Sequence, residues 1–220
     1  MTLENDRSTI LRTIILNHEI IMDTIDDASL VSRLLAATEK LIYAGGIHAT
    51  GIDAIVKASG VARRSIYKMY STKEELVAAA LLARDQRWMS WFIEATSQAD
   101  EPVKRLASIF PALRQWFENE DFHGCAFINA AGELGVTHPD IGAVSTLHKQ
   151  RLLSYLRELT GAAGLSDPDE VANYFLILID GATAVAMVTG DAGAADSAGR
   201  AAALLLSSLQ QQAGSNSPNR

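Results

Sequence analysis

The sequence predicts an all-α protein, and three observations support this fold class. Alanine and leucine dominate the 220 residues, and both favour helices. Alternating runs of β-branched residues, which predict strands, are nearly absent. Only 5 residues are proline and 48% of the chain is hydrophobic, so long helices can pack around a substantial core.

Residues 1–28 are predicted to form an N-terminal extension with an amphipathic helix over about 8–25. Isoleucines lie at near-helical spacing on one face of this helix. The extension holds 2 basic and 6 acidic residues. A different interpretation is that translation starts at Met22, in which case most of the extension would not belong to the protein.

A second helix is predicted over about 30–44. Ser29 or Asp27 is a suitable N-cap, because a short polar side chain there accepts a hydrogen bond from a backbone amide of the first turn. Gly45-Gly46 ends the helix, since glycine accepts left-handed dihedral angles.

Two short helices and a turn follow. Thr50 stands three residues before Asp53, a spacing typical of the capping box that begins a helix. Gly60 makes the turn to a further short helix over about 62–70. The run Ser71-Thr-Lys-Glu74 is a closer match to the capping box and begins a long helix.

The remaining chain continues in the same helical pattern. Asp167 and Pro168 predict the start of one of these helices, because Asp167 is a suitable N-cap and proline is favoured in the first turn. The predicted long helices cover about 71–95, 102–119, 124–135, 140–162, 168–190 and 195–212. Residues 214–220 are polar and are expected to form a disordered tail.

The charge is unevenly distributed. The whole chain carries a net charge of −7, which on its own argues against binding to nucleic acid. The segment from Ser29 to Glu75, however, holds 7 basic residues against 4 acidic ones and is the only positive part. A local basic patch is what phosphate binding requires.

Two short helices joined by a glycine turn and preceded by a longer helix are the parts of a helix-turn-helix. The predicted small core consists of Ile52, Ile55, Val56, Val61 and Ile66. The polar residues left projecting from the second helix are Arg63, Arg64, Ser65, Tyr67 and Lys68. Arginine can bond guanine bidentately, whereas lysine and tyrosine suit phosphates. Lys73 lies at the next helix N-terminus, which favours a phosphate. The alternative is a solvated face on an ordinary helical hairpin.

The run LIYAGGIHATGIDAIVKASGVARRSIYKMYSTKEELVAAAL, residues 41–81, resembles the N-terminal DNA-binding domain of TetR-family transcriptional regulators. The matching pieces, in order, are Gly46, Ala49-Thr50, Ala58-Ser59-Gly60-Val61, Ile66-Tyr67 and Ser71-Thr72-Lys73-Glu74-Glu75-Leu76. The resemblance implies a helix-turn-helix DNA-binding domain over 29–75 and a helical ligand-binding and dimerisation domain over 76–213. Carried over residue by residue, it implies DNA contacts from Thr50, Arg63, Arg64, Ser65, Tyr67, Lys68 and Lys73.

Several positions depart from the family pattern, which often has histidine or phenylalanine near Met69 and Tyr70. Val56 stands where a small residue is common, and Ala62 where serine is common, which weakens the cap of the recognition helix. Arg64 falls where glycine is frequent, so no operator preference can be carried over.

The second half is rich in aromatic residues, which at helical spacing are more often core than a binding site. Resemblance to the family nevertheless implies a cavity there for a small, largely apolar inducer. The expected ligand-pocket residues are Trp88, Trp91, Phe92, Phe110, Trp116, Phe117, Cys125, Asn129 and Glu133. Two of them, Asn129 and Glu133, share one helical stripe. They could anchor a ligand or instead bond to backbone or a neighbouring helix.

A strongly apolar and then small-residue-rich helix over about 169–189 suits close helix packing. Together with 201–209 it fits a two-fold four-helix interface, the usual dimer seam of the family, although a monomer core would look similar. The expected dimer-interface residues are Gly181, Ala182, Ala184, Leu205 and Leu209.

Other classes of function find little support in the sequence. The single cysteine, Cys125, excludes an internal disulfide. The spacing of Cys125, Glu133, His138 and His148 matches no compact metal motif, so neither a metal nor another cofactor is expected. Glu133, His138 and His148 could serve a helical enzyme, but no nucleophile–base motif accompanies them. A signal peptide and a membrane-crossing run are not predicted, so the expected location is the cytoplasm.

The sequence therefore predicts a homodimeric repressor that binds a palindromic operator in double-stranded DNA and is released by a small-molecule inducer. The alternative keeps the DNA-binding domain but makes the protein an activator, or a regulator controlled by a partner protein that binds the acidic N-terminal extension.

Overall fold

The computed structural model describes residues 9–16 and 28–215, and this part of the chain is helical without any strand. The fold class predicted from the sequence is confirmed. The helices are α1 (residues 9–16), α2 (Ala28–Gly45), α3 (Ile52–Ser59), α4 (Arg63–Met69), α5 (Lys73–Thr96), α6 (Pro102–Phe117), α7 (Ala126–Leu134), α8 (Pro139–Ala162), α9 (Pro168–Thr189) and α10 (Gly193–Ser215).

The predicted helix boundaries are confirmed to within a few residues from α2 to α10. The predicted first helix is helical over 9–16, while its remainder and Met22 lie outside the described residues. Of the tail predicted to be disordered, residues 214 and 215 end α10 and residues 216–220 lie outside the described part.

At α2, Ser29 lies inside the helix rather than at its cap, and Asp27 lies outside the described residues. Two other predicted N-caps are wrong. Thr50 does not cap α3: Gly51 holds the cap position without a side-chain bond, and the Thr50 hydroxyl donates to the Gly46 carbonyl at 2.7 Å. At α5 the capping pair is shifted by one residue. Thr72 Oγ1 accepts from the Glu75 amide at 3.1 Å, and the Glu75 carboxylate accepts from the Ser71 amide at 2.7 Å. Adjacent Ser71 and Thr72 offer equivalent oxygens, so spacing alone did not distinguish them.

The Asp167 cap is confirmed, since its side chain accepts from the Glu170 amide and Pro168 follows it. Gly60 ends α3 in the left-handed conformation at φ 69°, also as predicted. A left-handed residue there suits glycine because it has no Cβ.

The chain divides into two compact units. Among the described residues, the first contains those through Arg87 together with Ala126–His148, and the second contains Trp88–Cys125 and those from Lys149 onward. The expected domain boundary after residue 75 stays a prediction. The boundaries of the two compact units lie at other positions. These units group α7 and the start of α8 with the first helices.

The core of the first unit brings together α2, α3, α4 and the start of α5. Ile55, Val61 and Ile66 are almost fully buried against Leu34 and Leu76. The other two members of the predicted small core, Ile52 and Val56, pack partly against it. The apolar side of the predicted helix-turn-helix is therefore confirmed.

The core of the second unit is built by α6, α9 and α10 with the end of α5 and part of α8. Phe110 and Phe175 pack with ring centroids 5.9 Å apart. At Gly199 of α10 an added Cβ would lie 3.1 Å from Phe110 Cβ, so glycine allows the close approach of α10 to α6. Helix α9 is long and apolar enough to cross a membrane by length and composition, but one side of it packs into this core.

Candidate nucleic-acid interface

Helices α3 and α4 form a tight pair. Gly60 reverses the chain after α3, and Ala62, in an extended conformation, holds the cap position of α4 without a side-chain bond. The absence of a capping hydroxyl follows from alanine at this position. Ile66 is 1% exposed and fixes α4 on the core, so the opposite side of the helix faces solvent.

The exposed side of α4 presents the residues expected to meet DNA. Arg63, Arg64, Tyr67 and Lys68 are exposed, with 45% of Tyr67 accessible, whereas Ser65 is half-buried. The Tyr67 ring is thus not part of the core. A seven-residue helix with two arginines and a lysine on its open side offers several donors to phosphates or base edges.

The Arg63 guanidinium is already paired within the unit. It donates to the Asp53 carboxylate of α3, which together with the charge of that carboxylate raises the pKa of Arg63. Both side chains are at least half exposed, so the ion pair is screened and is worth little to stability. Asp53 places a negative charge beside the recognition helix and limits how freely Arg63 can meet a phosphate.

Two residues predicted to contact DNA are bonded to the turn between α2 and α3: Thr50 lies in this turn, and Lys73 reaches it from the start of α5. Thr50 is 5% exposed and its hydroxyl is bonded within the turn. The Lys73 ammonium donates to the carbonyls of Ile47 at 3.0 Å and Thr50 at 3.3 Å. Both side chains therefore hold the turn, and their contact with DNA stays a prediction.

Glu133 of α7 binds the same turn, although the sequence could not show which backbone it would meet. Its carboxylate accepts from the Ile47 amide at 2.8 Å and the His48 amide at 2.7 Å. Burial raises the pKa of Glu133, but the two amide donors and the charges of His48 and Lys73 outweigh burial, so the pKa is lowered. Of the two roles left open from the sequence, bonding to backbone is the one the structure describes.

The recognition helix ends at Tyr70, whose ring is 4% exposed in the first core. Its hydroxyl is buried without a hydrogen-bond partner in the described structure. Burial raises the pKa of Tyr70 to about 12. The hydroxyl therefore costs folding free energy that a phenylalanine would not.

An apolar groove of about 620 Å³ lies between α2 and α3 in the first unit. Alanines dominate its walls, and Lys40 and Thr50 supply the polar groups. It contains none of the expected ligand-pocket residues.

The expected ligand-pocket aromatics form one cluster in the second unit. Trp88 stacks on Phe92 at 4.9 Å and meets Trp116 edge-on at 5.5 Å. Phe92, Phe110 and Phe117 are buried, whereas the three tryptophans are only partly buried at the edge of the core. Phe122, which the pocket prediction did not include, meets Trp116 at 5.1 Å.

The three remaining residues of that prediction are spread over both units. Cys125 is buried and belongs to the second unit. Asn129 is half-buried and belongs to the first, as Glu133 does. The sequence spacing predicted that Cys125, Asn129 and Glu133 share one face of a helix, but it could not show which of these side chains faces a ligand.

The expected dimer-interface residues fall into two groups. Gly181 and Ala184 are exposed on α9. Ala182 is 5% exposed in the core of the second unit, and Leu205 and Leu209 of α10 pack partly against that core. The exposed apolar side chains of this region, which the sequence prediction missed, are Tyr174, Ile177, Val185, Met187, Val188 and Leu204.

The candidate acids and bases do not assemble a reactive centre. His148 is 2% exposed and its Nδ1 lies 2.8 Å from the Asp85 carboxylate. Glu133 is committed to backbone amides, and His138 is separate in the loop before α8. Among the described residues, no group of three His, Cys, Asp or Glu side chains is placed to hold a metal ion.

Comparison with known proteins agrees with this geometry. The family model for bacterial regulatory proteins of the tetR family matches residues 34–80, which cover most of α2, all of α3 and α4, and the start of α5. No curated protein matches the sequence.

Solved structures extend the similarity to most of the chain. A putative tetR transcriptional regulator from Streptomyces avermitilis is 30% identical, with 74% of this chain and 89% of that chain covered at a TM-score of 0.67. A TetR-family transcriptional regulator from Streptomyces coelicolor is 26% identical, with 83% and 96% covered at a TM-score of 0.75. A TetR transcriptional regulator from Chloroflexus aurantiacus is 21% identical and has the same fold. The match covers 82% of this chain and 95% of that chain at a TM-score of 0.73.

Proposed function

Because the chain belongs to the TetR family of bacterial regulatory proteins, we propose that it acts as a dimeric repressor released from a palindromic operator by a small, largely apolar ligand. Family membership makes it a DNA-binding transcriptional regulator and a transcription factor rather than an enzyme. A cytoplasmic location, where the operator would be, is part of the proposal. The observation that carries it is the exposed cationic side of α4 on a buried helix-turn-helix core.

DNA binding is proposed to centre on α4. Arg64 and Lys68 are exposed on its open side, and Arg63 joins them at its first turn. In a helix-turn-helix the recognition helix lies in the major groove, where arginine reads guanine and lysine meets phosphate. Arg63 must exchange its bond to Asp53 for a DNA contact, so Arg64 is the stronger candidate for base reading.

Dimerisation is proposed to cover the exposed side of α9. Ile177 is 67% exposed and Val188 is 78% exposed, and Tyr174 and Val185 lie on the same side of the helix. Leu204 of α10 is 73% exposed. Such a concentration of accessible apolar side chains marks an interaction surface. Two copies of α9 and α10 would bury it as a four-helix seam.

Two half-sites also explain why a dimer is needed. A recognition helix of seven residues reads few base pairs, and a two-fold dimer reads the same bases twice, about one helical turn apart. The operator is accordingly proposed to be palindromic.

The inducer is proposed to enter the aromatic cluster of the second unit. Trp88, Trp91 and Trp116 lie at the edge of the cluster and are only partly buried, so a part of each residue is accessible to a ligand. Aromatic walls with few polar groups suit a largely apolar molecule.

The link between ligand and DNA is proposed to be α5, a 24-residue helix that contributes Lys73 to the first unit and Trp88 to the second. A helix of this length spans roughly 36 Å without a break. Ligand would favour a dimer whose two recognition helices no longer fit successive major grooves, and DNA affinity would fall by the coupling free energy.

Operator binding in the presence of candidate apolar ligands tests the proposal, with tryptophan fluorescence as an independent readout of ligand binding. Ligands that quench tryptophan emission should also release DNA. A protein that binds its operator but responds to no ligand would keep its DNA role and lose the proposed switch.

A further inference from the structure

We propose that Glu133 is a positioning residue for DNA binding, which holds the turn between α2 and α3 through its carboxylate. One oxygen accepts from the Ile47 amide at 2.8 Å and the other from the His48 amide at 2.7 Å. Charge-assisted bonds of this length are among the stronger hydrogen bonds in proteins. They connect residues 86 and 85 positions apart in the sequence, so they are tertiary contacts. This inference rests on the proposed function and names how its DNA-reading site is held in place.

Lys73 also binds this turn, through backbone carbonyls rather than amides. Its ammonium donates to the carbonyls of Ile47 and Thr50, while Glu133 takes the amides of Ile47 and His48. The Lys73 charge also favours the ionised carboxylate of Glu133. A cation on the carbonyls and an anion on the amides together satisfy backbone groups that no helix pairs.

The turn is shaped to admit the carboxylate. Gly46 has a φ of +85°, and a Cβ there would lie 3.2 Å from Glu133 Oε1. Any other residue would both strain the backbone and press on the carboxylate. The Thr50 hydroxyl closes the turn by donating to the Gly46 carbonyl at 2.7 Å.

Packing and hydrogen bonding at the other end of α7 hold this helix, and therefore Glu133, in place. Phe127, near the other end of α7, stacks on His148 with ring centroids 3.8 Å apart. His148 in turn lies 2.8 Å from the Asp85 carboxylate, and both side chains are almost fully buried. Because packed and hydrogen-bonded neighbours hold its helix, the carboxylate is pre-organised rather than flexible.

The position of the turn decides the position of the DNA-reading helices. Helix α3 begins at Ile52, directly after the turn, and its Ile55 side chain shares the first core with Ile66 of α4. A displacement of α7 beyond hydrogen-bond reach would release the turn and loosen the start of α3. Glu133 thus gives α7 control over the recognition helix without touching DNA.

The test compares Glu133→Gln with Glu158→Gln. Glu158 is exposed on α8, so its substitution removes the same charge far from the turn in sequence and in a different unit. The duplex is the tightest one that the wild-type chain selects from genomic fragments. We expect Glu133→Gln to bind about tenfold more weakly than Glu158→Gln at equal salt, the scale of one charge-assisted hydrogen bond. Its salt slope should stay unchanged, because no phosphate contact is lost.

A second variant and a second readout keep the result independent of folding defects. Gly46→Ala leaves every charge in place but strains the turn and presses on the carboxylate, so it should weaken binding in the same direction. Hydrogen exchange should show the Ile47 and His48 amides protected in the wild type and faster in Glu133→Gln, while the amides of α5 keep their protection.

The outcomes separate the two proposals. Equal affinities of Glu133→Gln and Glu158→Gln, on a wild type that binds DNA, would overturn the role of Glu133 alone. A reduced salt slope in Glu133→Gln would also overturn it, since that would mean lost phosphate contacts instead of lost positioning. A wild-type chain that selects no duplex would overturn the proposed function itself.

Discussion

Arg64 carries the sharpest prediction at the scale of single residues. It is exposed on α4 and stands where it can face the major groove. Arg64→Ala should cost about 1–3 kcal/mol of operator affinity, the usual worth of one bidentate base contact. Fluorescence anisotropy against the wild type measures the loss.

The matched control for Arg64 is Arg157→Ala, which removes an exposed arginine from α8 in the second unit. Equal losses in the two variants would mean that Arg64 contributes only general charge. A relaxed preference at one operator position in Arg64→Ala alone would establish base reading.

Tyr70 gives a prediction about stability. Its buried hydroxyl has no partner in the described structure, so Tyr70→Phe removes a desolvated polar group and keeps the ring. We expect the free energy of unfolding at neutral pH to be unchanged or to rise by up to about 1 kcal/mol. A loss of more than that in urea unfolding would reveal a hydrogen bond that Tyr70 makes in solution.

The same residue predicts a pH dependence. The pKa of Tyr70 is raised from its ordinary value of 10.0 to about 12, because burial disfavours the phenolate. Above pH 10 the unfolded chain loses this proton while the folded chain keeps it, so stability falls as the pH rises from 10 to 12. Tyr70→Phe should flatten this part of the stability curve. Parallel curves for the two proteins would contradict the assigned burial.

At the scale of helices, the turn between α3 and α4 depends on Gly60. Its φ is 69°, and a Cβ there would meet no atom within 4 Å, so Gly60→Ala adds backbone strain without a steric clash. The expected loss of stability is about 1–2 kcal/mol, the cost of a left-handed alanine. Gly161→Ala, inside α8 with equally open space, is the control and should be neutral or stabilising. Equal effects on the melting temperature would contradict the role of the turn.

Helix positions could be predicted from the sequence because local signals set them. Gly60 and the Asp167-Pro168 pair each act within one helical turn, and both are found as expected. Two caps were assigned wrongly: the Thr50 hydroxyl bonds to the Gly46 carbonyl instead, and Thr72 takes the capping role expected of Ser71.

The long-range contacts could not be predicted in the same way. Glu133 pairs with amides 85 and 86 residues away, and no periodicity encodes which backbone a carboxylate will meet. Charge and spacing single out most of the candidate DNA residues because these residues lie in one short run, and their contact with DNA stays a prediction. The bonds of Lys73 to the turn depend on tertiary folding and could not be predicted in this way.

At the scale of the whole molecule, the exposed side of α9 predicts assembly. Val188→Asp places a charge on an apolar residue that is 78% exposed, so the folded monomer should tolerate it while the proposed dimer should not. Sedimentation should show monomers, and operator affinity should fall by more than tenfold because two linked half-sites become separate ones. Val136→Asp, at a residue that is 95% exposed in the first unit, is the matched control. Dimers of unchanged strength in Val188→Asp would place the seam elsewhere.

The most direct test of the central claim is fluorescence anisotropy of the wild-type protein with DNA from upstream of its own gene, measured across a salt series. We expect tight binding to one palindromic duplex, with log K falling linearly as log salt rises, and much weaker binding to a scrambled duplex. Failure to distinguish any duplex, including those selected from genomic fragments, would contradict the claim that the exposed side of α4 reads an operator.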